Sequence, residues 1–173
     1  MRNLEAKFRL DNLAIARSRA ETIGYSYRAT LIQRDTFFTV PHGKLKLREE
    51  PETATLIHYR RDHDVTLELS NYSIVPVSNP AELRTMLEAA LGTIAEVRKR
   101  RTLLMRENIR LHLDEVENLG CFGEIEAVIP EDENAERHRP AVEEILATLA
   151  ITPAERISVS YFEMMRDAAR HLS

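Results

Sequence analysis

The chain has 173 residues, 43% apolar and 30% charged, which is the make-up of a folded globular domain and not of a disordered or fibrous chain. One cysteine, Cys121, excludes an internal disulfide and a cysteine-cluster metal site, and no uncharged run approaches the roughly 20 residues of a membrane-spanning helix. The net charge of −4 is unevenly spread: residues 1–110 carry 15 Arg and 4 Lys against 14 acids (+5), whereas residues 111–173 carry 5 Arg against 14 acids (−9). A basic surface or cavity built by the first part and supplied with acids by the second is the arrangement this suggests.

In chain order, Asn3–Leu10 alternates polar and apolar residues as a half-buried strand does. Asp11 then offers a cap for a helix over Leu13–Ile23, closed by Gly24 and a candidate for substrate selection. Gln33–Thr39 is β-prone, Pro41-His42-Gly43 is a turn, and Lys44–Arg48 alternates with its three basic residues on one face. Thr55–Arg60 is the next strand, placing His58 and Arg60 together, and Val65–Val77 reads as one long strand or a bulged one. Asn79-Pro80 opens a helix with Leu83, Met86, Leu87, Ala90 and Leu91 at helical spacing, and Gly92 stops it.

Val97–Met105 and Asn108–Asp114 look like paired strands, and Gly120–Ile129 is another. After the charged Pro130–Arg139 linker, Pro140 opens a helix, and a last one after Pro153 holds Tyr161, Phe162, Met164 and Met165. The expected fold is mainly β with helices (α+β): one domain over residues 1–173, an antiparallel eight-stranded β-barrel rather than an open sheet, decorated by helices.

Several strands carry charges of one sign on one face. Lys44, Lys46 and Arg48 are basic, as are Lys99 and Arg101; Arg110, His112 and Asp114 are mixed; Glu124 and Glu126 are acidic. Leu45, Leu47, Leu111, Leu113, Ile125 and Ala127 hold the opposite faces and need burial, so packing them under helices turns the charges inward. A small barrel filled with arginine and lysine needs a polyanion, and acids in the same space need a cation. A polyphosphate with a hard divalent metal meets both demands.

At this level the chain resembles the CYTH superfamily, the triphosphate tunnel metalloenzymes. Asn3-Leu4-Glu5-Ala6-Lys7 falls where that family has E-x-E-x-K, and Gln33-Arg34-Asp35-Thr36-Phe37-Phe38 resembles Q-x-D-x-Y-F. Lys44–Arg48 resembles L-R-x-R, Tyr59-Arg60 ends the next strand with a basic residue, and Val97–Arg101 resembles V-x-K-x-R. His112–Val116, Leu119-Gly120 and Phe122–Glu126 resemble L-D-x-V…L-G-x-F-x-E-x-E, and Ser160-Tyr161 matches a late Ser-Tyr.

The resemblance implies a closed barrel acting as a triphosphate tunnel. It implies Glu5, Asp114, Glu124 and Glu126 about a Mg²⁺ or Mn²⁺ cofactor. Lys7, Lys46, Arg48, Arg60, Lys99, Arg101 and Arg110 would hold the triphosphate, and Lys7, Arg60 and His58 are the candidates for catalysis. The reaction expected is divalent-metal-dependent hydrolysis of a triphosphate: inorganic, nucleoside or thiamine triphosphate. The alternatives are conversion of ATP to cyclic AMP and diphosphate, and a catalytically weak polyphosphate or nucleotide binder. Asn3 departs from the pattern, removing one negative charge, and after Arg60 only Glu68 survives of an expected R-x-E-x-E. The expected partner is a small triphosphate-containing molecule, with no nucleic acid and no membrane, for a cytoplasmic monomer or homodimer.

Overall fold

The computed structural model describes residues 2–61, 68–130 and 133–170, with no account of the side chains of 2, 61, 68–71 and 168–170. Eight strands follow one another as β1 (Arg2–Arg9), β2 (Ser26–Phe38), β3 (Lys44–Glu49), β4 (Ala54–Arg61), β5 (Glu68–Pro76), β6 (Thr93–Arg106), β7 (Ile109–Val116) and β8 (Gly120–Ile129). Four α-helices interrupt or follow them: α1 (Leu13–Thr22), α2 (Pro80–Leu91), α3 (Arg139–Thr148) and α4 (Tyr161–Arg170). Every pairing is antiparallel, and the hydrogen-bonded order β1-β5-β4-β3-β2-β6-β7-β8 returns to its first strand, because β1 pairs with β8 on one side and β5 on the other. The β1–β8 seam has eight register pairs, from Arg2 opposite Ile129 to Arg9 opposite Phe122, and the β1–β5 seam only four.

Alternation along the strands decides what faces where. Leu4, Ala6 and Phe8 of β1, Leu111 and Leu113 of β7, and Ile125 and Ala127 of β8 are buried in one cluster with Ala16 and Ala20 of α1 and Val142, Ile145 and Leu146 of α3. Two helices therefore cover the outer wall of β1, β7 and β8, and the intervening charged residues of those strands point to the interior. Gly123 is required by this packing: it stands opposite Phe8, and a Cβ there would lie 2.1 Å from the ring's Cε2.

A second cluster closes one end. Phe162 of α4 stacks on Phe37 with 5.2 Å between centroids, and Tyr161 meets Phe122 edge to face at 5.0 Å. The Ile157 amide donates to the Lys7 carbonyl at 2.7 Å, fixing the segment before α4 to the end of β1.

Several expected boundaries move. β2 is thirteen residues long and begins at Ser26, ahead of the β-prone run at Gln33, because β6 is long enough to pair with it down to Met105 opposite Ser26. The α1 cap is Asn12, whose side chain accepts from the Ala14 and Ile15 amides at 2.9 and 3.1 Å; Asp11 lies one position outside. α2 starts and stops as its signals predict, at Asn79-Pro80 and Gly92 with φ +75, yet none of its side chains is fully buried. The last helix begins at Tyr161, and Pro153–Glu155 forms only a single 3₁₀ turn. Residues 65–67 of the expected Val65–Val77 strand, and the Glu68 side chain, lie outside the described residues.

Candidate functional site

Within the ring of strands is a cavity of about 410 Å³. Among the described residues, six cations line it (Lys7, Lys46, Arg48, Lys99, Arg101 and Arg110) together with four acids, Glu5, Asp35, Glu124 and Glu126. Each comes from the inward phase of its strand, so the expected convergence of basic and acidic faces is what the register produces. Leu31, Ile57, Ile74, Leu103 and Met105 add an apolar wall, and Ser160 and Tyr161 also line the space.

The charges are sorted into two groups. In one, Asp35 of β2, 2% exposed, holds two cations of β3: Arg48 Nε and Nη2 donate to its two oxygens at 2.7 Å each, and Lys46 Nζ donates at 2.8 Å. Burial alone would raise the Asp35 pKa, but Arg48 and Lys46 bring it well below the ordinary carboxylate range. Burial and the neighbouring Arg48 lower Lys46 to about 8, against the pull of Asp35.

In the other group, Arg101 of β6 grips Asp114 of β7 by two bonds, Nε to Oδ1 at 2.7 Å and Nη2 to Oδ2 at 2.6 Å, and also reaches Glu124 Oε2 at 2.7 Å. Burial, reinforced by Arg101, holds Lys99 well below the ordinary lysine range. In both lysines burial is the main cause and a neighbouring arginine adds to it, so a polyanion placed beside them would favour their charged forms.

The remaining acids sit at one corner. Glu124 Oε1 is 3.5 Å from Lys7 Nζ. Glu126 accepts from Arg110 Nη1 at 3.2 Å and from the Asn3 amide. Asn3 is 1% exposed, so the position that departs from the family pattern is buried in the cavity wall. Glu5 stands directly opposite Glu126 across the β1–β8 register.

No three His, Cys, Asp or Glu side chains among the described residues stand ready to hold a metal. The carboxylates at this corner offer hard oxygens, which could bind a divalent cation completed by phosphate oxygens and water, and the His112 ring lies beside them.

Three expected site residues are placed differently. Arg60 and His58 lie on the outward phase of β4, while Ile57 and Tyr59 face the cavity. Arg60 is exposed, and His58 Nε2 is 3.0 Å from the His42 carbonyl in the adjoining turn. Neither is among the residues that line the cavity. Asp114 is on the inward phase but fully buried beneath the lining. Its Oδ2 accepts from Tyr161 as well, at 2.9 Å, so both oxygens are engaged by Arg101 and Tyr161. No residue of α1 lines the cavity either, since that helix packs on the outer wall.

Asp35, His112 and Tyr161 enter the site without having been singled out for it. For Asp35 and His112 the signal was present: Asp35 shares the inward phase of β2 with Gln33 and Phe37, and His112 lies between Arg110 and Asp114. Tyr161 comes from a helix remote in sequence, and strand periodicity says nothing about it.

The CYTH domain family model matches residues 1–161. No curated protein matched. Among solved structures, a protein of Pyrococcus horikoshii superposes with a TM-score of 0.84 at 20% identity, over 93% of this chain and 98% of its own. A candidate adenylate cyclase of Vibrio parahaemolyticus gives 0.77 at 18% identity, with 94% and 97% covered. A Hippeastrum protein described as having a dominant triphosphatase activity gives 0.67 at 17%, with 96% of each chain covered. These likenesses show a shared fold.

Proposed function

The chain belongs to the CYTH family, and from that premise we propose that it is a divalent-cation-supported phosphohydrolase whose closed ring of strands takes in the triphosphate group of its substrate. The observation that carries this reading is the gathering of Lys46, Arg48, Lys99 and Arg101 on one cavity wall beside Glu5, Glu124 and Glu126. The Hippeastrum relative's triphosphatase activity points the same way.

Arg48 and Arg101 offer planar forks suited to phosphate oxygens, and both are already oriented, by Asp35 and Asp114 respectively. A polyanion beside Lys46 and Lys99 would favour their charged forms, opposing the effect of burial. Cations held in place by their carboxylate partners stabilise charge spreading over the transferring phosphoryl group and the leaving diphosphate with little reorganisation at the moment of reaction. Glu5, Glu124 and Glu126 would hold Mg²⁺ or Mn²⁺, whose chemistry there is Lewis-acid polarisation of a phosphoryl oxygen. A water oxygen bonds to the terminal phosphorus, the P–O–P bridge breaks, and diphosphate leaves with the electron pair. This reading keeps a cytoplasmic site of action and a small-molecule partner.

The apolar wall of Leu31, Ile57, Ile74, Leu103 and Met105, which inorganic triphosphate does not need, suits a substrate with an organic moiety, and with ATP it admits a second reading, cyclisation to cyclic AMP and diphosphate. Phosphorus-31 NMR of the purified protein with Mg²⁺ or Mn²⁺, and in parallel inorganic triphosphate, ATP and thiamine triphosphate, separates the two. Orthophosphate release is the expected result. Diphosphate with cyclic AMP would establish the cyclase, and unchanged but broadened triphosphate resonances would leave a binding protein.

A further inference from the structure

His112 is the one imidazole lining the cavity among the described residues, and its surroundings are unusual. It is 7% exposed, on β7, in register with Glu124 of β8. Its ring lies between two glutamates: Nδ1 is 3.8 Å from Glu124 Oε2, and Nε2 is 3.9 Å from Glu126 Oε2. Both gaps are too long for hydrogen bonds. Nδ1 is moreover buried with no hydrogen-bond partner among the described residues. A buried polar atom left in that state is costly and calls for an occupant or a rearrangement that satisfies it.

A separation of 3.9 Å is one a cation can span, because two metal–ligand bonds of about 2.1 Å reach about 4.2 Å end to end. The other nitrogen then needs a carboxylate, since a ligating imidazole commonly donates its second N–H to one. Glu124 already faces Nδ1, although Arg101 and Lys7 now engage it. A triphosphate entering the cavity would compete for those two cations, and a Glu124 oxygen so released could accept from Nδ1. At the same corner Asn3 donates a neutral amide to Glu126, so an imidazole nitrogen joins a site with little negative charge to spare.

Resting on the reading of the cavity as a triphosphate and cation site, we infer that His112 Nε2 and Glu126 together ligate the accompanying cation, and that this nitrogen donor tilts the site away from Mg²⁺ toward first-row transition metals. Imidazole nitrogen suits those ions, whereas Mg²⁺ keeps to oxygen. His112 is thus a determinant of metal choice, with Glu124 fixing its ring.

The test uses the full chain with Mn²⁺ and a methylene-bridged triphosphate, which contains no nitrogen and is not cleaved at the bridge. Electron spin-echo envelope modulation of the bound Mn²⁺ should show ¹⁴N coupling, converted to ¹⁵N coupling in protein made with [¹⁵N]histidine. His112→Gln should abolish it, and competition titrations should show the preference for Mn²⁺ over Mg²⁺ falling about tenfold. Should the variant fail to fold, the isotope exchange in the wild-type protein decides alone. Bound Mn²⁺ without nitrogen coupling, coupling that survives in His112→Gln, or no binding of Mn²⁺ with the analogue would each overturn the inference. Phosphate release with Mg²⁺, measured in parallel, shows whether the hydrolase reading stands independently.

Discussion

Asp35→Asn removes the one acid that holds Lys46 and Arg48 in place. The carboxylate accepts three bonds from these two cations, all of 2.7–2.8 Å, and 2% of the residue is exposed. An amide of the same shape takes away the carboxylate charge that both buried cations bond to, while Lys99 and Arg101 still face them. Breaking a buried pair by deleting one partner costs about 3–5 kcal/mol. For a protein of this size each kcal/mol moves Tm by roughly 2–4 °C, so the empty variant should melt about 6–20 °C lower. Inorganic triphosphate should then raise the variant's Tm by more than it raises that of the wild type, because the freed cations have only the ligand to neutralise them.

Differential scanning fluorimetry at pH 7, with and without triphosphate, measures both effects. The pH matters in one direction. The folded-state pKa of Asp35 is depressed, so its stabilising contribution is complete above the unfolded carboxylate value near 3.9 and is lost only as pH falls through the lower folded value. The gap between wild type and variant should therefore be constant from about pH 5 to 7 and close only in strong acid. A variant melting within about 2 °C of wild type at pH 7 would refute the account of the basic cavity wall.

Two other outcomes follow from the same geometry. Lys46 is held at about 8 against an ordinary 10.5, so between these values the unfolded chain binds more protons, and the empty protein should gain stability as pH rises from about 8 to 10.5. Triphosphate affinity should fall over the same window, and Lys46→Met should flatten both trends; melting and binding profiles of the two proteins that run parallel would contradict this. Arg60→Ala and His58→Ala, on the outer wall of β4, should keep kcat/KM for the triphosphate within about twofold of wild type. A tenfold loss in either would bring that wall into the chemistry.

Much of this architecture is written locally. Period-two alternation determined the strands and, with it, the inward phase of Lys7, Lys46, Arg48, Lys99, Arg101, Arg110, Glu124 and Glu126, because a strand that buries one face can present only the other. The same local rule left β4 undecided. His58 and Arg60 share a face as the alternation requires, but which face of β4 looks inward depends on its register with β3 and β5, where Lys46 opposes Ile57 and Ile57 opposes Ile74.

The partners of each charge were likewise beyond reach of the chain's order. Asp114 has the spacing of a cavity ligand, yet Tyr161, 47 residues later, arrives from α4 to occupy its oxygen. His112 acquires its meaning only from the two glutamates that β8 sets on either side of it. The sequence by itself determined which residue types lie on each face of each strand, since that follows from backbone geometry a few residues long. The pairing of carboxylates with cations, and the choice of which charges stay open to a ligand, were decided by contacts between strands and helices far apart in the chain, and those exist only once the ring has formed.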